Sequence, residues 1–116
     1  MEKLFLLKPD FQDVNRDPEA RYFCPPCTLI EGLLSFYPRL RTELEVNYVD
    51  FVRPRRVIID LIGEENQSCP VLVVGAPPTN LSPDLNVQTA NGHAFVEGGR
   101  EITEYLARVH GTGIPH

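Results

Sequence analysis

Apolar runs and helical stripes alternate along this chain. Lys3-Leu4-Phe5-Leu6-Leu7-Lys8 is continuous rather than alternating, the pattern of a strand covered on both faces, so an inner strand is expected there. Pro9-Asp10 ends it, and the aperiodic, polar segment from Pro9 to Arg21 reads as a loop. It exceeds the usual connection of about 4–6 residues, a length often tied to function. From Thr28 the apolar residues Ile30, Leu33, Leu34 and Tyr37 fall on one helical face, and Pro38 ends the helix. Leu44 to Phe51, rich in Val and aromatics, reads as a second strand. Pro54 can open a second helix, with Val57, Ile58, Leu61 and Ile62 inward and Gly63 as its stop.

Pro70-Val71-Leu72-Val73-Val74 is the strongest strand signal, with its proline at the first position, where a sheet tolerates one. Gly75 to Gly92 reads as a second long loop, and His93-Ala94-Phe95-Val96-Glu97 as a fourth short strand. After Gly98-Gly99, Ile102, Tyr105, Leu106 and Val109 form the inner stripe of a last helix, Glu101 to His110, stopped near Gly111. The tail Thr112 to His116 reads as loose. The order β-α-β-α-β-β-α predicts an α/β fold: a four-stranded mixed sheet with helices on both faces, in one domain over residues 1–116. Strand–helix–strand units favour parallel neighbours, and the last two strands can pair antiparallel.

Composition narrows the class. The 116 residues are 42% hydrophobic and 23% charged, enough apolar material for one core without staples. No apolar run reaches the roughly 18 residues of a membrane span, and the start Met1-Glu2-Lys3-Leu4-Phe5-Leu6-Leu7 is too short for a signal peptide. A cytoplasmic protein with no membrane partner is expected. The net charge is −5 and the densest basic stretch is Arg53-Pro54-Arg55-Arg56, so nucleic acid is not an expected partner. Arg53, Arg55 and Arg56 read as a solvated helix start, with binding of an anionic substrate as the alternative.

The candidate chemistry is in Cys24-Pro25-Pro26-Cys27. The spacing brings two sulfurs within bonding distance if Cys27 lies in the first turn of a helix. Proline is tolerated there because the N–H it lacks would have no intrahelical partner. The partial positive charge of the helix start favours a thiolate. The two prolines leave only the N–H groups of Cys27 and Thr28 as nearby donors, so the thiolate is held less firmly than in a C-x-x-C with free amides; Arg21 can compensate. Three cysteines cannot make a four-thiolate zinc site within one chain, and no histidine lies at a ligand-like spacing, so no metal is assigned. A metal or cluster shared between two chains stays open.

The order of three motifs resembles the thioredoxin-like superfamily: a C-x-x-C at the first helix, a proline opening the third strand, and Gly-Gly before the last helix. Gln67-Ser68-Cys69-Pro70-Val71-Leu72-Val73 is similar to its cis-proline strand. Phe95-Val96-Glu97-Gly98-Gly99-Arg100 and the helix after it are similar to its final strand and helix. Glutaredoxins and the N-terminal domains of glutathione transferases look closest. The chain as a whole also resembles a small bacterial family of uncharacterised thioredoxin-like proteins. It departs in its two long loops and in the Pro-Pro between its cysteines, where glutaredoxins typically carry Pro-Tyr and thioredoxins Gly-Pro.

The resemblance implies a thiol–disulfide oxidoreductase. Cys24 is the implied nucleophile and Cys27 the resolving thiol. Cys69 and Pro70, joined by a cis bond, are implied to dock the substrate, and Gly98-Gly99 to receive a glutathione carboxylate. No bound cofactor is implied; the partner is glutathione, as a co-substrate, or a protein thiol or disulfide. Cys69 either adds a third sulfur near the dithiol or is a small buried apolar residue. The alternative of another class is a binding module or adaptor that keeps the fold without redox turnover.

Overall fold

The computed structural model describes residues 1–75 and 84–116. Among them, five strands form one mixed sheet: β1 (Glu2–Leu7), β2 (Leu44–Val49), β3 (Val71–Gly75), β4 (Gln88–Ala90) and β5 (His93–Glu97). Their order across the sheet is β2-β1-β3-β5-β4. β1 and β2 run parallel, with Leu4 opposite Val46, and every other neighbouring pair is antiparallel. The helices are α1 (Pro25–Phe36), α2 (Leu40–Glu43), α3 (Arg56–Ile62) and α4 (Gly99–His110).

Side chains alternate across a strand, so β1 feeds two cores. Leu4 and Leu6 pack with Ile30 and Leu34 of α1 and Ile102 and Leu106 of α4. Phe5 packs on the other face with Ile58 and Ile62 of α3. Both faces are therefore covered, which is why the run from Leu4 to Leu7 has no polar break. Each fully buried Leu or Ile contributes about 1.5–3 kcal/mol of transfer free energy, an upper-range figure because the unfolded chain is itself partly collapsed.

Several expectations are corrected. The sheet has five strands where four were expected, because β4 lies inside the segment read as a loop from Gly75 to Gly92; residues 76–83 of that segment lie outside the described residues. β4 and β5 form a hairpin in which Ala90 faces His93. The two residues between them, Asn91 (φ 50) and Gly92 (φ 75), are both left-handed, the backbone of a two-residue hairpin turn. A fourth helix, α2, adds one turn after Pro38 because Leu40 is fully buried in the core.

α3 starts at Arg56 rather than at Pro54, since the Arg55 N–H is given to Gln67 Oε1 at 2.8 Å and Arg55 is not helical. Ile58 and Ile62, one turn apart, carry its buried row, and Val57 is 53% exposed. In α4 the buried row is Gly99, Ile102, Thr103, Tyr105 and Leu106, and Val109 at the far end is 42% exposed. The start of the tail is anchored, since Thr112 is buried and the Gly113 N–H is given to Tyr37 Oη at 3.0 Å, while Ile114 is 85% exposed.

A polar cluster closes the start of β1. His110 Nδ1 lies 2.8 Å from Glu43 Oε1, and its Nε2 bonds Glu2 Oε1. Tyr105 Oη donates to the second Glu2 oxygen, and Arg39 pairs with Glu43 at 2.9 Å and caps the His110 carbonyl. His110, then Arg39, holds the Glu43 carboxyl below its ordinary range.

Candidate functional site

Cys24 is the N-cap of α1, and Pro25 and Pro26 fill its first two positions. The Cys24 sulfur accepts the Cys27 N–H at 3.2 Å. Thr28 instead gives its N–H (3.0 Å) and its hydroxyl (3.1 Å) to the Cys24 carbonyl. Of the two donors that the prolines leave, one reaches the sulfur. Cys24 and Cys27 are joined as a disulfide with Cα atoms 5.2 Å apart, inside the span of about 4.4–6.8 Å that such a bond needs.

The two sulfurs differ in surroundings. Cys27 is 4% exposed and accepts the Leu7 N–H at 3.4 Å, so the end of β1 sits against it. Cys24 is half-buried and lines two clefts. The smaller, about 110 Å³, lies between the end of β1 and α1, where Cys27, Glu31 and Tyr48 also line it. The larger, about 440 Å³, lies on the side of the Pro9–Arg21 segment.

That segment is not slack. Phe11 and Tyr22 exchange backbone hydrogen bonds of 3.0 and 2.8 Å, which closes it as a small excursion. The Phe11 ring stacks on Phe51 with centroids 4.4 Å apart and planes 4° from parallel. It therefore stands as a wall beside Cys24. Arg21 lines the same cleft and gives an N–H to the Asp10 carbonyl at 3.4 Å.

The fold brings the other candidates to the dithiol through the backbone. The Cys69–Pro70 bond is cis, and the Cys69 carbonyl lies 4.0 Å from the Cys24 sulfur. The Pro70 carbonyl accepts the Gly98 N–H at 3.0 Å. Gly98 has φ 101, a conformation that favours glycine, and the Glu101 carboxylate covers it. A Cβ on Gly99 would stand 3.0 Å from Pro26 Cβ and 3.3 Å from Leu29 Cδ2. Gly99 thus lets α4 approach the start of α1. Backbone conformation and close packing account for both glycines, one N–H is already bonded, and the helix start already carries a carboxylate.

Cys69 is partly buried between the two cores. Burial pushes its thiol up to about 11, against the opposing pull of Arg55 and Arg53. At neutral pH it is a protonated thiol beside a guanidinium, which is a poor nucleophile.

Arg55 corrects the reading of its stretch as a solvated helix start. It is 7% exposed and gives its side-chain N–H groups to the carbonyls of Gln67 (2.8 Å), Asp50 (3.2 Å) and Phe51. It fastens the loop after β2 to the residues that precede Cys69. Nothing in the local sequence marks this role, because its partners are main-chain carbonyls. Among the described residues, no group of three or more His, Cys, Asp and Glu side chains is arranged to hold a metal, and no helix is long and apolar enough to cross a membrane.

A family model described as a protein of unknown function (DUF3088) matches residues 1–114. No curated protein and no solved structure matches the chain.

Proposed function

The chain belongs to the DUF3088 family, and we propose that this member is a thiol–disulfide oxidoreductase on a thioredoxin-like fold. The observation that carries the reading is the inequality of two bonded sulfurs at one helix start: Cys24 opens on two clefts, and Cys27 is buried. Exchange needs one sulfur that a partner can reach and a second that acts on the first. The fold assignment draws support from the parallel β1–β2 pair around α1, the antiparallel β3–β5 pair, and the cis Cys69–Pro70 bond beside the dithiol.

In the reducing direction the Cys24 thiolate attacks a partner disulfide. A mixed disulfide forms and one partner thiolate leaves. The Cys27 thiolate then attacks the Cys24 sulfur, the second partner thiolate leaves, and the Cys24–Cys27 disulfide remains. Two electrons pass to the partner, and the protons of the two cysteine thiols end on its released thiols. Glutathione or a protein thiol restores the dithiol. The Cys69 carbonyl beside Cys24 supports the docking of an extended partner chain by main-chain hydrogen bonds.

Equilibration in glutathione buffers of graded poise, with the disulfide located by mass spectrometry, tests the reading. A Cys24–Cys27 bond with a defined midpoint is expected. If that bond forms at no poise, the chain is a binding module without redox turnover.

A further inference from the structure

We propose that the wider cleft beside Cys24 selects small disulfides that carry negative charge on an aromatic or similarly flat apolar body. This inference rests on the exchange chemistry proposed above and names its substrate class.

The cleft, about 440 Å³, has the size of a small-ligand site. Cys24 is part of its lining, so a bound disulfide lies within reach of the nucleophile. Its walls are aromatic: the stacked Phe11 and Phe51, with the Tyr22 ring tilted beside Phe11 at 6.3 Å between centroids. Flat apolar groups pack well against such faces.

Its charge runs against that of the chain. The molecule carries a net −5, yet the cleft presents Arg16 and Arg21 against the single carboxylate of Asp13. Asp13 balances little of this. It meets Arg16 only at 3.9 Å and also accepts the Asn15 N–H at 3.0 Å. The Arg16 guanidinium lies 5.9 Å from the centre of the Tyr22 ring, so a cation sits directly over an aromatic wall. Arg21 gives an N–H to the Asp10 carbonyl, and among the described residues no carboxylate pairs with it. A guanidinium has five N–H donors in a fork that fits a carboxylate, so both arginines keep donors for an anion.

The segment that supplies them is braced by its own turns. Arg16 and Ala20 give N–H groups to the Asp13 and Asp17 carbonyls, and the Asp17 N–H reaches Tyr22 Oη at 3.1 Å. The arginines are thus presented on a fixed scaffold, and both are exposed, so replacing them leaves the core intact.

The test mixes the reduced full chain with three disulfides: the dianionic aromatic 5,5′-dithiobis(2-nitrobenzoate), the neutral aromatic 4,4′-dithiodipyridine, and the dianionic aliphatic 3,3′-dithiodipropionate. Each rate is divided by that of free cysteine with the same probe. The normalised rate for the first should exceed both others by about tenfold, the low end of electrostatic rate enhancement in a charged cleft. The double variant R16Q/R21Q should lose that advantage over the neutral probe, read as the ratio of the two rates within the same variant so that any change in Cys24 thiolate reactivity cancels. Raising the salt to about 0.5 M should reduce the advantage in the same way, because screening then acts over a few ångströms. A normalised rate equal for the charged and neutral aromatic probes, or an advantage that survives R16Q/R21Q, overturns the charge assignment. Equal rates for the two dianions overturn the aromatic part. Failure of Cys24 to react with the neutral probe at all removes the exchange reading itself, and this inference with it.

Discussion

Strand β1 ends in two different ways. At Glu2 every polar group is answered from within: the carboxylate meets Tyr105 and His110, and His110 reaches on to Glu43. At Leu7 the strand stops against the Cys27 sulfur, and two clefts open beside Cys24. The first end joins the start of β1, α2 and α4, elements far apart in the chain, through side-chain hydrogen bonds centred on the half-buried His110. The second leaves one sulfur of the disulfide, that of Cys24, open to two clefts. The contrast teaches that this small α/β unit separates its polar lock from its proposed exchange site along one strand. Changes at one end should therefore leave the other nearly untouched.

The largest break of that contrast is Cys24→Ser. Disulfide exchange should fall by at least about a thousandfold, since a hydroxyl cannot replace the thiolate nucleophile. Reduced-state stability should stay within about 1 kcal/mol, the usual range for a partly exposed site. Stopped-flow reduction assays and urea unfolding under reducing conditions read the two quantities.

His110→Ala should do the reverse. It removes the ring that bonds the half-buried Glu2 carboxylate, so the melting temperature should drop by several degrees. Exchange with a neutral disulfide should not change. Acid reads the same end: the Glu43 carboxyl is depressed in the fold, so its contribution is present above the ordinary carboxylate range and lost as pH falls through the folded value. The variant should lose part of that acid sensitivity.

Alkali sharpens the comparison from the chemical end. Cys69 is raised in the fold from 9.0 to about 11. The unfolded thiol ionises first, so stability should fall as pH rises between those values. Cys69→Ala should flatten that part of the profile, measured by urea unfolding across alkaline pH.

The smallest effect expected is that of Gly99→Ala. The added methyl meets Pro26 at 3.0 Å and Leu29 at 3.3 Å, so α4 must shift against the start of α1, at about 1 kcal/mol. Because Pro26 lies between the cysteines, exchange should slow a fewfold. An unchanged exchange rate would show that the α4 contact does not position the dithiol.

The parts legible in the sequence are those written in local pattern. The unbroken run of β1, the Pro70–Val74 strand and the dithiol at a helix start are each set by residues a few positions apart. β4 has three residues, exposed or half-buried, and no apolar pattern. Its one signal, Asn91-Gly92, reads as part of a loop because the strand before it is so weak. The single turn of α2 depends on the burial of Leu40 against distant elements. The polar lock joins residues 2, 43 and 110, and no local rule connects positions so far apart. The burial of Arg55 is illegible for the same reason: its partners are carbonyls that the sequence does not mark.

The hydrogen bond from the Leu7 amide to the Cys27 sulfur, 3.4 Å long, gives the molecule an internal gauge. An amide proton is sensitive to the charge and bonding of the atom that receives it. In a nitrogen–hydrogen correlation spectrum the Leu7 resonance should therefore move between the disulfide and dithiol forms. Following that peak during a redox titration measures the oxidised fraction without labelling either cysteine.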